Sequence, residues 1–340
     1  MSLRAIKTRI KSIESSKKIT DAMQFISAAR AKQLQKIYTK SIDHMNKVHE
    51  IISSIDESEF ENCRSFNKFS DLYKDAKMLR SDDQLSLNDI PLTFHKRKFV
   101  VDKSGTKNKR HLIIVISGDR GLCGQYNSLP IKKSQILSAD IHNSTDSVNH
   151  EIDYITIGSK ANDAIQNMIK LGCIRDSHIC SCFLDKNINF ESIRKAIILP
   201  IFHEMTVCDY EDCSIVYNHN ESVSKQRLEV CSIWPVTKFI KNEKSTYNIK
   251  KSDKYLYFDP EPVKILSNLI LNYIEAKIYQ ILVNAKLAEH NARMIAMDNA
   301  RRNSEKAINK LKNYYNNARQ ESITKEISEI VSGSESSLEQ

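Results

Sequence analysis

Residues 34–55 read LQKIYTKSIDHMNKVHEIISSI. Leu34, Tyr38, Ser41, Met45, Val48, Ile52 and Ile55 recur there at alternating spacings of four and three, and all but Ser41 are apolar. That is the a/d seam of a coiled coil, a stripe that needs a second helix to cover it. Upstream, Leu3, Ile6, Ile10 and Ile13 keep similar spacings. Between the two runs, Ile19, Met23 and Ile26 predict a shifted register, a stutter in the supercoil. The first proline is Pro91 and the first glycine Gly105, so nothing earlier breaks a helix. One helix from Ser2 to Ser58 is expected, roughly 85 Å long.

The other end of the chain supplies the partner. Pro262 suits the first position of a helix. Leu266, Leu269, Ile270, Tyr273, Ile274, Ile278, Ile281 and Leu282 then form a broad apolar face. Further on the pattern narrows to Ser304, Ile308, Leu311, Tyr315, Ala318 and Ser322, while Ala288, Ala292, Ala296, Ala300 and Ala307 permit close approach. This helix is expected to reach about Ser332, roughly 100 Å. A compact segment between the two helices would bring them together antiparallel.

That middle reads as α/β. HLIIVIS at 111–117 and IDYITI at 152–157 are short buried strands, each followed by glycine. Helical stretches are expected around Ala161–Leu171 and over Glu191–Glu204, the second kinked or interrupted by Pro200. Cys213–Tyr217 and Leu228–Trp234 are strand-like. Strands alternating with helices predict a parallel or mixed sheet. The expected organisation is a helix over 1–58, a polar insertion or linker over 59–109, an α/β domain over 110–237, a linker over 238–258, a helix over 259–333 and a fraying tail over 334–340.

Between Arg4 and Lys40 cations outnumber anions ten to two, and the chain as a whole carries +9. Such a basic end fits a nucleic acid, an anionic membrane, an acidic protein or a solvated helix face. No apolar run approaches the ~20 residues of a membrane span, and no signal or transit peptide is evident. Eight cysteines without regular spacing point to a reducing compartment. Cys173, His178, Cys180 and Cys182 cluster without a CxxC pair, and Cys208 and Cys213 form no supported disulfide, so neither metal nor cofactor is expected. No Ser/His/Asp arrangement stands out. The loop Gly118-Asp119-Arg120-Gly121-Leu122-Cys123-Gly124 follows a strand, as a phosphate-binding loop does, but its spacing is neither the dinucleotide fingerprint nor a P-loop. A nucleotide-binding α/β protein with helical arms and a basic coiled coil that binds nucleic acid are the two alternatives these features leave.

Three stretches together resemble one family. RIKSI at 9–13 with KITDAM at 18–23 and SAAR at 27–30, the GDRGLCG loop at 118–124, and ARM at 292–294 through YNNARQ at 315–320 to EIVSG at 329–333 are similar to ATP synthase gamma subunits. The resemblance implies a long antiparallel coiled coil with a Rossmann-like α/β domain at its foot. It implies a non-catalytic rotor of an F-type proton-translocating ATP synthase, which carries torque from the c-ring to the alpha/beta catalytic head. The implied partners are the alpha and beta subunits, an epsilon-type stalk subunit and the c-ring, without nucleic acid and peripheral to the membrane. Met23 and Arg30, and Arg319, Gln320 and Thr324, match coupling contacts to the head, and the GDRGLCG loop falls in the foot. The stretch 59–109 is longer than in typical members, and the plastid regulatory cysteine insertion does not appear. Asp298-Asn299-Ala300 and the strand at 109–117 resemble mitochondrial forms. The matrix side of the mitochondrial inner membrane is therefore expected, with the plastid thylakoid or bacterial plasma membrane as alternatives.

Overall fold

In the computed structural model the described residues are 2–53, 68–77, 109–143, 150–172, 179–182, 189–235 and 262–338. The N-terminal helix α1 spans Leu3–Ser53. The expected end of that helix at residue 58, and Ile55 of its seam, lie outside the described residues, as do Cys173, His178 and the expected linker over 238–258. The C-terminal helix, α7, runs from Pro262 to Leu338. It passes Gly333 without a break, so residues 334–338 are helical rather than a separate tail. At 77 residues it is about 115 Å long.

The two helices lie antiparallel. Val48 and Ile52 pack with Tyr273 and Ala276, Ala31 and Leu34 with Val283 and Leu287, and Lys17 meets Glu305 further along. The seam of α1 corrects the expected stutter. Positions 6, 10, 13, 17, 20, 24, 27, 31, 34, 38, 41, 45, 48 and 52 are all buried or half-buried, in one unbroken alternation of four and three. Ile19 and Ile26 are instead 62% and 56% exposed. The seam stays in register by going polar through Lys17, Thr20, Gln24 and Ser27. Apolar residues alone mark its course poorly there.

Between the long helices lies a five-stranded sheet of β1 (Lys109–Ile116), β2 (His150–Ile157), β3 (Ile179–Cys182), β4 (Asp212–Asn220) and β5 (Gln226–Trp234). Its order is β3-β2-β1-β4-β5, with only β5 antiparallel to its neighbour. This is the strand order of a Rossmann-like sheet. The register sets Ile114 beside Ile155 and Ile215. Leu112, Ile114, Ile116 and Ile215 face α7 and the helix α6 (Leu199–Val207). Ile113, Val115 and Tyr154 face the opposite layer, α3 (Ser128–His142) and α4 (Ser159–Lys170). Both faces are covered, which is why the central strand is a continuous apolar run.

Two local features depart from expectation. Within 59–109, read as polar insertion, Phe69–Lys77 forms a helix, α2. Its Phe69, Leu72 and Ala76 are buried in the main core, and the Phe69 ring meets Trp234 edge-on at 5.5 Å. A nine-residue amphipathic pattern is too short to stand out within a polar stretch. Around Pro200 the helix is not cut. The short helix α5 (Phe190–Ile193) passes through a π-helical turn at Arg194–Ile198 into α6. A wider turn accommodates a proline that has no N–H and whose ring crowds the preceding carbonyl.

Candidate functional site

The loop 118–124 leaves the carboxyl end of β1, between β2 and β4. In doubly wound sheets that switch point is where ligands sit. Here α7 fills it. The Gly118 N–H donates to Asn127 Oδ1 at 2.9 Å, and a side chain on Gly118 would meet the Glu289 carboxylate at 3.0 Å. Asp119 Oδ1 accepts from the Ser159 N–H at 3.1 Å and so ties the loop to the start of α4. The Arg120 side chain is exposed, while its carbonyl accepts from Asn127 Nδ2 at 3.2 Å. Cys123 is buried against Tyr126 and Ala288. Gly121 and Gly124 face open space, and Gly124 takes the left-handed conformation, φ 59°. Leu122 shares that conformation at φ 62° and remains 62% exposed. Gly118, Asp119 and Cys123 set the loop against the shaft, at Glu289, Lys286 and Ala288 respectively. The Glu289 carboxylate beside Gly118 would repel a phosphate there, which counts against the nucleotide alternative.

The helix side of this joint is polar and buried. Glu289 lies 2.8 Å from Lys286 Nζ and 2.6 Å from Arg293 Nη2. Burial pushes its carboxyl up, but the two cations outweigh burial and hold it below the usual carboxylate range. His290 is lowered to about 4, first by burial and then by the nearby cations Lys286, Arg293 and Arg30, against the pull of Glu289. Tyr126 Oη donates to the Ala285 carbonyl at 2.7 Å, and Gln226 Nε2 to the Ala288 carbonyl at 2.7 Å. The Asn220 N–H donates to Asn284 Oδ1 at 2.8 Å, and Asn291 Nδ2 to Asn220 Oδ1 at 2.9 Å. Apolar packing tolerates sliding and rotation; these directional bonds fix the azimuth of α7 on the sheet.

The five expected contact residues are not one cluster. Met23 is half-buried on α1, level with Asp298, to which the neighbouring Gln24 donates at 3.4 Å. Arg30 is exposed and stands close enough to His290 to act on it, at the level of the joint. Arg319, Gln320 and Thr324 are exposed, and Thr324 Oγ1 donates to the Gln320 carbonyl at 2.9 Å. Roughly twenty residues of α7 separate them from the level of Met23, about 30 Å along the axis. The polar joint itself was not singled out from the sequence. Its available signal was the polar run Glu289–Asn291 and Arg293 inside an otherwise apolar helix face.

A family model described as ATP synthase matches residues 2–336. The ATP synthase gamma chain of Pelagibacter ubique is 30% identical over 332 residues, which covers 97% of this chain and 98% of that one. The chain belongs to the ATP synthase gamma family. The gamma chain of Enterococcus hirae is likewise 30% identical, over 339 residues and 97% of its own length. Among solved structures, the rotor of the Euglena gracilis mitochondrial ATP synthase in rotational state 1 matches with a TM-score of 0.53 at 15% identity, covering 94% of this chain and 98% of that one. The same enzyme's OSCP/F1/c-ring structure in rotational state 3 matches with a TM-score of 0.57 at 15% identity, covering 97% and 92%. These likenesses concern the fold, which this gamma-family chain shares from its long helix pair to its foot.

Proposed function

We infer that this chain is the central rotor shaft of an F-type proton-translocating ATP synthase. One observation carries the reading: a single helix, α7, is both the core of the foot and half of the coiled coil. A turn applied to the foot is thereby a turn of the shaft, with no hinge between them. The c-ring and an epsilon-type subunit act on the foot, and the shaft turns inside the alpha/beta head. An asymmetric shaft contacts identical catalytic subunits differently, and that difference is what couples its orientation to their nucleotide affinities. Met23 and Arg30 are assigned to the contact with the head, as are Arg319, Gln320 and Thr324 at the tip. The exposure of Arg30 and of the three tip residues on the outer surface of the pair supports this. The chain works peripherally at an energy-transducing membrane, and no helix among the described residues is long and apolar enough to cross one. The matrix face of the mitochondrial inner membrane is the compartment assigned, on the resemblance of residues 109–117 and 298–300 to mitochondrial forms.

The test is a mild-detergent pull-down of the tagged chain from its native membranes, with mass spectrometry and an ATPase assay. Recovery of alpha and beta subunits with ATPase activity is expected, and the co-purifying proteins report the compartment. Recovery of the chain alone, or with nucleic acid, overturns the rotor reading.

A further inference from the structure

Along α1 two stripes compete for the seam. One is polar: Lys17, Thr20, Gln24 and Ser27 face α7. The other is apolar: Ile19, Met23 and Ile26, each one residue earlier than a seam position and so about 100° round the helix. Burial of large apolar side chains is worth about 1.5–3 kcal/mol each, so composition alone favours the apolar stripe. Yet Ile19, Ile26 and the adjacent Phe25 are exposed.

The reason lies on α7. At this level it presents Asp298, Arg301 and Glu305, spaced three and four on one face. Arg301 Nη2 lies 3.0 Å from Asp298 Oδ1, its Nη1 lies 3.0 Å from Glu305 Oε1, and its Nε lies 4.0 Å from Asp21 Oδ1 across the pair. Lys17 Nζ reaches Glu305 at 2.8 Å, and Gln24 donates to Asp298. Isoleucines turned onto this face would strip the carboxylates of partners and water, a less favourable outcome than leaving isoleucines wet. An open cleft of about 340 Å³ lies at the same level, lined by Lys17, Asp21, Gln24, Phe25, Arg301 and Glu305. A polar seam position that fixes register at a cost in stability is a known device of coiled coils.

We propose that the ionic face centred on Arg301 is a positioning device: it holds α1 in the rotation that turns Ile19 and Ile26 outward and keeps Met23 half-buried beside the seam. Arg301 touches no other subunit in this role; it acts through the orientation of α1. Its consequence for the enzyme rests on the assignment of the Met23 face as the contact with the head.

The experiment uses the full chain carrying Ile26→Cys, with maleimide labelling read peptide by peptide so that the chain's own cysteines are separated. Replacing Asp298, Arg301 and Glu305 together by Leu is expected to slow labelling at position 26 about fivefold, the change that a shift of roughly 1 kcal/mol produces, as the apolar stripe turns inward. Unchanged labelling overturns the inference. Raising NaCl from ~0.01 M to ~1 M shortens the screening length from roughly 30 Å to 3 Å, and it should slow labelling in the chain with its ionic face intact. Salt-independent labelling also counts against the device. In the assembled enzyme the triple Leu variant is expected to pump fewer protons per ATP hydrolysed. Slowed labelling with undiminished pumping would uphold the positioning role and overturn the coupling assignment of the Met23 face instead.

Discussion

From Leu266 to Arg293 the C-terminal helix is buried on most sides, whereas from Asp298 onward it is covered only along the line where α1 lies against it. The first half is held by the sheet, by α6 and by the Glu289 joint. The second half is held by one narrow seam, and between Asp298 and Glu305 that seam is ionic. The same helix is thus a rigid core element and a lightly supported lever. The difference follows from the number of neighbours available to each side chain, since both halves are free of breakers from Val263 to Ser332.

The contrast is tested most severely at Glu289. Its replacement by Leu takes from the buried Arg293 its carboxylate partner and leaves Lys286 only Asp119, 3.9 Å away, and breaking such a buried pair costs about 3–5 kcal/mol. Denaturant unfolding of the full chain should show that loss; a change under ~1 kcal/mol would mean that the joint is not a stabilising element. Ile281→Ala in the embedded half should cost about 2–5 kcal/mol, while Leu311→Ala in the half-buried seam should cost about 1 kcal/mol. Equal losses would erase the distinction between the two halves.

Acid should strike the same joint. The folded pKa of His290, about 4, lies below its ordinary 6.5. The unfolded chain therefore binds more protons between those values, and stability falls as pH drops from about 6.5 to 4. The loss has a ceiling of about 3 kcal/mol, and Glu289 adds to it only at the acid end, below its usual carboxylate range. Thermal melts across this window should flatten in a His290→Gln variant. The smallest effect on stability is expected at Met23→Lys, within about 0.5 kcal/mol, because the side chain lies off the seam. Its effect should appear in coupling instead, as fewer protons moved per ATP hydrolysed by the assembled enzyme. Undiminished pumping would remove Met23 from the contact with the head.

The legible parts of this fold were those with long, regular periodicity. Leu34 to Ile52 and Leu266 to Leu282 announced a helix pair, and residues 111–117 announced a central strand covered on both faces. Helix α3 was not legible, because its buried positions include Pro130, Ser134 and Ser138 while Leu129 and Ile136 are exposed. Helix α2 was lost in a polar stretch although its Phe69 and Leu72 reach the core. The site divided in the same way. The GDRGLCG loop was conspicuous, but its partner Glu289 lies on the far helix, remote in sequence from Gly118. Only the packing of α7 into the switch point brings the two together.

By itself the sequence determined that two breaker-free helices flank an α/β middle, and three spaced signatures placed the chain in the gamma family. Periodicity is a local property, set by 3.6 residues per turn or two per strand repeat, so it survives in one dimension. Tertiary structure alone decided which stripe of α1 became the seam. Ile19, Met23 and Ile26 had the better hydrophobic claim, but Asp298, Arg301 and Glu305 on the other helix imposed a polar one. That choice is a sum over both partners. It includes the desolvation of charges at the opposite end of the chain, as Arg301 is from Asp21, and no local pattern in either helix records it.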